Sequence, residues 1–214
     1  EQRVRLVIGF AGAGKTCWVS QMALHASDRL AYYDVADISG PALVSAVARE
    51  LAARMFKSRG GKLGEILLPG ASGTEILIAI GRHLAEDGLT ASVVLDNAHR
   101  VPAADLVPLV GASTQLRFLL LAQPNASTAR LEATLGISAE PLLGWSNKPL
   151  PQRAQRLRVA EHADYERLLK LTAGLPLYVQ NALKIAAGSY EGDVDRLCTA
   201  LEARTHVVET AQEL

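Results

Sequence analysis

Gly9-Phe-Ala-Gly12-Ala13-Gly14-Lys15-Thr16 satisfies the pattern G-x-x-x-x-G-K-[ST] at every defined position. Residues of these types in this order do one kind of chemistry. Glycines let the backbone curl so that consecutive N–H groups converge on phosphate oxygens. A helix starting at the end of the loop adds the positive end of its dipole. Lys15 supplies a charge for the β- and γ-phosphates, and the Thr16 hydroxyl offers a hard oxygen to Mg²⁺. The stretch predicts that Gly9, Gly12, Ala13, Gly14, Lys15, Thr16 and Cys17 line a nucleoside triphosphate site. A glycine-rich turn with an incidental Lys-Thr is the bland alternative. It is disfavoured because strand, loop and helix signals agree on either side.

A second chemical group lies about 80 residues further on. Val93-Val-Leu-Asp96 is an apolar run with a polar end. Asp96 there would face Thr16 and hold Mg²⁺ directly or through water. The next residue is Asn97. An amide cannot take a proton from water at neutral pH; it can only orient the water. Asn97 therefore predicts slow hydrolysis. His99 reads as a turn histidine, with sensing of the γ-phosphate or contact with a partner the sharper alternative. Leu116–Ala122 ends in Gln123-Pro-Asn125. Gln123 is the candidate γ-phosphate sensor, and Asn125 fits the cap of the following helix.

Alternating elements must position these groups. Arg3–Ile8 reads as a short buried strand and Cys17–Leu24 as the helix after the loop. Leu30–Val35 is a second strand and Ala42–Phe56 a helix with apolar residues at helical spacing. Lys57–Gly73, rich in Gly and Lys, reads as a mobile loop, and Thr74 as the N-cap of a helix reaching Glu86. Ala91–Asp96 and Leu116–Ala122 are apolar enough to be central strands of a parallel sheet, and a weaker strand is expected within Ile137–Leu142. The alternation predicts a doubly wound α/β domain, a P-loop NTPase fold, over residues 1–144. Helical patterns at Gln152–Arg158, Asp164–Leu171, Pro176–Ala187 and Asp193–Val207 predict a small helical lid domain over 145–214. Arg153, Arg156 and Arg158 are read as a solvated helix face rather than a nucleic-acid patch.

Composition narrows the classes. Basic and acidic residues number 22 each, so the net charge is zero and nothing indicates a dedicated nucleic-acid surface. The two cysteines, Cys17 and Cys198, are too far apart for a zinc-ligand spacing, and Cys17 is expected to pack as a small apolar residue. No apolar run reaches spanning length and no signal peptide is visible. The expectation is a cytoplasmic chain without a membrane partner. The first strand begins close to Glu1 and a helical pattern runs to Leu214, so further domains of a longer chain are expected as partners.

Gly9–Thr16, Val93–His99 and Gly174-Leu-Pro-Leu177 together resemble the STAND class of signalling ATPases. Leu95-Asp-Asn-Ala-His99 looks like their Walker B segment, and Gly174–Leu177 is similar to their G-L-P-L motif. The resemblance implies ATP/ADP and Mg²⁺ as ligands, adenine contact by Pro176, and nucleotide held between the α/β and helical domains. It also implies slow ATP hydrolysis and a nucleotide-controlled homo-oligomer. The family often has an arginine where this chain has Gln123-Pro-Asn125. A second resemblance runs through Leu95–Val101 and Leu119–Pro124, to AAA+ ATPases of secretion and transposition systems. Those carry Glu where this chain has Asn97, and Arg where it has Leu177.

Overall fold

The computed structural model describes residues 2–25, 30–36, 38, 40–56, 60–146, 150–157, 159 and 163–212. Two compact units divide them. The first takes in Glu1–Gly9 and Lys15–Pro141; the second takes in Phe10–Gly14 and Leu142–Leu214.

Unit one is built from β1 (Val4–Ile8), α1 (Lys15–His25), β2 (Leu30–Asp34), α2 (Gly40–Phe56), α3 (Gly60–Ile66), α4 (Gly73–Glu86), β3 (Ala91–Asp96), α5 (Ala103–Gly111), β4 (Leu116–Ala122), α6 (Ala126–Leu135) and β5 (Ala139–Pro141). The five strands form one parallel sheet in the order β2-β3-β4-β1-β5. Parallel strands need long crossovers, and helices supply them. Side chains alternate between the two faces. Leu6, Val93, Leu95, Phe118 and Leu120 join the core cluster with Leu51 of α2, Ile80 of α4, Leu109 of α5 and Leu131 of α6. Val7, Val94, Leu119 and Leu121 are buried too but fall outside that cluster, as the two-residue period of a strand requires. This is a doubly wound α/β sheet of the P-loop NTPase type.

The register matters for function. Leu6 pairs with Leu120 and Ile8 with Ala122, so β1 and β4 finish level. Asp34 pairs with Asp96, so β2 and β3 also finish level. Every strand's C-terminal end thus opens on one edge of the sheet.

Two expectations are corrected here. Lys57–Gly73 is not simply a loop: α3 forms within it despite its glycines. Ile66 is buried and Leu63 packs against the core, so tertiary burial overrides weak propensity. Residues 57–59 lie outside the described residues. The N-cap of α4 is Ser72, not Thr74. The Ser72 hydroxyl accepts the Glu75 N–H at 3.3 Å while the Ser72 N–H donates to the Glu75 carboxylate at 2.7 Å. That reciprocal box satisfies two orphan donors.

Unit two carries α7 (Leu150–Arg156), α8 (Tyr165–Leu171), α9 (Pro176–Ser189) and α10 (Val194–Gln212). Leu150, Ala154, Leu168, Val179, Leu183, Leu197 and Cys198 form its core. Burial pushes the Cys198 thiol up. Asp164 caps α8 by accepting the Arg167 N–H at 3.0 Å, and the Arg167 guanidinium pairs with Glu202 of α10. Pro151 lies inside the first turn of α7, where its missing N–H leaves nothing unpaired. Arg156 is exposed; Arg158 and the Arg153 side chain lie outside the described residues.

Helix α4 crosses α2 at Gly73, where an added Cβ would come 2.5 Å from the Ser45 nitrogen and 2.6 Å from the Val44 carbonyl carbon. Backbone atoms cannot yield as a side-chain tip can. Gly73→Ala is expected to destabilise the unit by roughly 1–3 kcal/mol. Chemical denaturation checks this; an unchanged midpoint would contradict the close approach.

Candidate nucleotide site

The loop after β1 does what its glycines permit. Gly12 and Gly14 take φ values of +83° and +88°, which only glycine adopts without strain. The Gly9 N–H donates to the Ala122 carbonyl at 3.1 Å, and the Ala13 N–H to the Phe10 carbonyl at 3.1 Å. Ala13 is buried. Lys15 opens α1, and its Nζ donates to the Gly9 carbonyl at 2.7 Å. Burial pulls the Lys15 ammonium below its ordinary value, and Asp96 opposes that shift.

Thr16, one residue on, reaches β3. Its hydroxyl donates to Asp96 Oδ2 at 2.8 Å. Asp96 is only 4% exposed and would be a costly charge there without partners. Three groups satisfy it. Oδ2 accepts from Thr16 and from the Tyr32 hydroxyl at 2.7 Å, and Oδ1 accepts the Asn97 N–H at 2.8 Å. Burial, then the bond to Asp96, pushes the Tyr32 phenol up to about 12.

A hydroxyl and a carboxylate 2.8 Å apart form a hard-oxygen pair of the kind Mg²⁺ takes. The described residues hold no group of three or more His, Cys, Asp or Glu fit for a metal.

Asn97 has left-handed backbone angles, φ 61° and ψ 27°, which Asn tolerates better than most residues. Its side-chain amide donates to Asp34 Oδ1 at 2.9 Å. The Ala36 N–H also donates to that oxygen, at 3.0 Å. The bonds from Asn97 and Ala36, in that order, hold the Asp34 carboxyl below its usual range. Tyr32 and Asp34 were not singled out in the sequence. The signal was available: Leu30–Asp34 is another short strand with a polar C-terminal end, as Ala91–Asp96 is.

His99 sits in a short 3₁₀ turn, Ala98–Arg100. It is more than a turn residue. Its Nδ1 accepts the Gln123 N–H at 3.2 Å, tying the end of β3 to the end of β4. That bond assigns the ring proton to Nε2. Gln123 is therefore held by its backbone at the same edge as Asp96. Asn125 caps α6, its carbonyl oxygen accepting the Ser127 and Thr128 N–H groups at 2.9 and 3.2 Å. Cys17 corrects another expectation: it is exposed, not packed. It follows Thr16 in the first turn of α1.

Pro176 lies in unit two, at the first turn of α9. Within that unit an added Cβ at Gly14 would meet Pro176 Cγ at 3.7 Å, and the Leu177 N–H donates to the Gly12 carbonyl at 3.2 Å. Gly174 has φ +65°, and its carbonyl accepts the Trp145 N–H at 2.7 Å. No helix among the described residues is long and apolar enough to cross a membrane.

No protein-family model matches the chain. No curated protein sequence matches it either. Solved structures do. The fold is that of Walker-type ATPases. The Walker-type ATPase of Pyrococcus abyssi superposes with a TM-score of 0.63 at 15% identity, covering all of this chain and 70% of the other. Cdc6p from Pyrobaculum aerophilum gives 0.57 at 14% identity, covering 91% of this chain and 57% of the other. The Aeropyrum pernix ORC2 protein in its ADP form gives 0.50 at 16%, covering 94% and 62%. The chain thus spans less than two thirds of those last two proteins. At such identities the likeness is one of fold.

The histidine bridge has a pH consequence. Burial first, then the charges of Arg100 and Lys15, hold His99 below its ordinary 6.5, against an upward pull from Asp96. The unfolded chain takes a proton near 6.5 while the folded site resists it. The neutral ring's contribution is therefore complete above about 6.5 and lost as pH falls toward the lower folded value. The melting temperature is expected to fall more steeply between about pH 7 and 5 than that of His99→Asn, which accepts the same N–H without titrating. Parallel curves from the two proteins would refute the bridge.

Proposed function

We propose that this chain binds ATP and ADP with Mg²⁺ and hydrolyses ATP slowly, as the regulatory switch module of a larger signalling protein. The observation that carries the reading is the Thr16–Asp96 bond at 2.8 Å, next in sequence to a Lys15 whose ammonium is bonded to the Gly9 carbonyl. Gly12, Ala13, Gly14, Lys15, Thr16 and Cys17 would present N–H groups to the phosphates, with Gly9 closing the loop. Lys15 would leave the Gly9 carbonyl for the β- and γ-phosphates. Thr16 and Asp96 would hold Mg²⁺, which when bound neutralises charge developing on the phosphoryl oxygens. Gln123 would sense the γ-phosphate from the end of β4. Asn97 would orient the attacking water without taking its proton, which supports slow turnover.

The switch rests on the resemblance of Gly174–Leu177 to the G-L-P-L motif, with Pro176 as the adenine contact of a helical lid domain. Its partners would be the nucleotide, other domains of the same chain, and further copies of itself in one nucleotide state. A ligand with a few kcal/mol of differential affinity is enough to move such an equilibrium. The likeness in fold to Cdc6p and ORC2 favours a second reading, an AAA+ ATPase of a DNA-processing, secretion or transposition system. Arg100, Arg117 and Arg130 would be its candidates for an arginine supplied in trans.

Two measurements test this. Lys15→Ala is expected to weaken Mg-ADP and Mg-ATP binding at least tenfold by titration calorimetry; unchanged affinity would remove the site. Nucleotide released by denaturing the purified protein should be ADP at near-stoichiometric amount. An empty site together with ATP-dependent hexamers in light scattering would favour the AAA+ reading.

A further inference from the structure

We propose that Asp34 is a positioning residue for hydrolysis, acting through Asn97 to fix the orientation of the attacking water. The proposal rests on the reading of Lys15, Thr16 and Asp96 as an ATP site. It adds a carboxylate from a strand that the loop-and-Asp96 pattern does not involve.

Register puts Asp34 there. β2 and β3 pair so that Asp34 stands beside Asp96, and parallel strands lie about 4.8 Å apart. Tyr32 and Asp34 are two residues apart on one strand and so share a face. Tyr32 bonds Asp96 Oδ2, and Asp34 reaches one residue further, to the Asn97 amide at 2.9 Å.

That contact decides which way Asn97 faces. An ionised carboxylate only accepts, so the Asn97 atom turned to Asp34 must be the NH₂ nitrogen. The partner's chemistry thus fixes the orientation of the amide. The Asn97 carbonyl oxygen is thereby turned away from Asp34. The residue is also held at its backbone, by the bond from its N–H to Asp96 Oδ1. A fixed amide oxygen can accept one hydrogen of a water and aim that water's lone pair. Were the amide to turn over, it would present a donor, and the water would be held by the wrong atom.

The step balances without a base. The water oxygen forms a bond to the γ-phosphorus, and the bond to the bridging oxygen breaks with its electron pair staying on ADP. One water hydrogen remains on the phosphate product and the other goes to solvent. Asp34 takes no proton. Its Oδ1 already accepts from Asn97 and from Ala36, which fits an anchor.

The test uses the full 214-residue chain and two ligands. Mg-ADP reports the ground-state site; Mg-ADP with aluminium fluoride mimics the transferring phosphoryl group and its in-line water. Asp34→Ala is expected to weaken the aluminium fluoride complex about tenfold by calorimetry and to lower phosphate release to match, leaving Mg-ADP affinity within about twofold. In an Asn97→Ala background the same change should add nothing, because the effect passes through Asn97. If Asp34→Ala fails to fold, Asp34→Asn serves. It keeps an acceptor for the Ala36 N–H but can turn either atom to Asn97, so about a threefold loss is expected. Full retention of the analogue complex, equal loss of both ligands, or additivity with Asn97→Ala would overturn the proposal. A wild-type chain that binds neither ligand would overturn the ATP site and this role together.

Discussion

The bond from Thr16 to Asp96 is the constraint on which the rest of unit one turns. It joins the first turn of α1 to the last residue of β3, two elements separated by 80 positions in the chain. For that bond to form, β1 and β3 must end at the same edge although β4 lies between them. The order β2-β3-β4-β1-β5 and its level registers provide this. A buried carboxylate is tolerated only when its oxygens are satisfied. Asp96 therefore gathers Thr16, Tyr32 and the Asn97 N–H around itself, and each of those partners is fixed in turn.

An apolar sheet makes a rigid platform for such groups. Val93, Leu95, Leu120 and Ala122 are fully buried, and the polar groups of the candidate site stand where the strands stop. Three strand ends bring candidate groups to the edge: Asp34 at the end of β2, Asp96 and the following Asn97 at β3, and Gln123 just after β4. His99 stitches two of these ends together through the Gln123 N–H. The cross-links run sideways from strand end to strand end. A shift at one of them moves its neighbours.

Much of this was legible in the sequence because the signals were strong and local. A glycine pattern with Lys-Thr, and apolar runs ending in Asp96 or Gln123, have few other physical meanings. What was missed needed either a partner or closer attention. α3 forms in a stretch poor in helix formers because Ile66 finds a core to enter, which no local rule reveals. Ser72 was legible, since Ser72-Gly-Thr-Glu75 has the capping-box spacing, but Thr74 drew the assignment instead. Cys17 looked apolar by type, yet the helical turn after Thr16 leaves it exposed. The polar end of β2 was visible, but the roles of Asp34 and Tyr32 depend on which strand β2 pairs with, and pairing order is not a property of β2 alone.

Asn97 shows how these constraints meet in one residue. The chain must turn sharply after Asp96, and the position takes left-handed angles, where Asn is favoured over most side chains. Asp also tolerates such angles, so the backbone alone does not select the amide. The surroundings do. Asp34 lies on one side and Asp96 immediately before, so a third carboxylate would face two like charges at short range. An amide instead gives Asp34 a donor and, in the proposed role, keeps an oxygen for water. The site gives up a proton acceptor and gains a fixed hydrogen-bond acceptor. Phosphoryl transfer depends more on positioning and charge stabilisation than on a strong base. In the switch we propose, such an arrangement would serve to hold a nucleotide state rather than to turn over quickly.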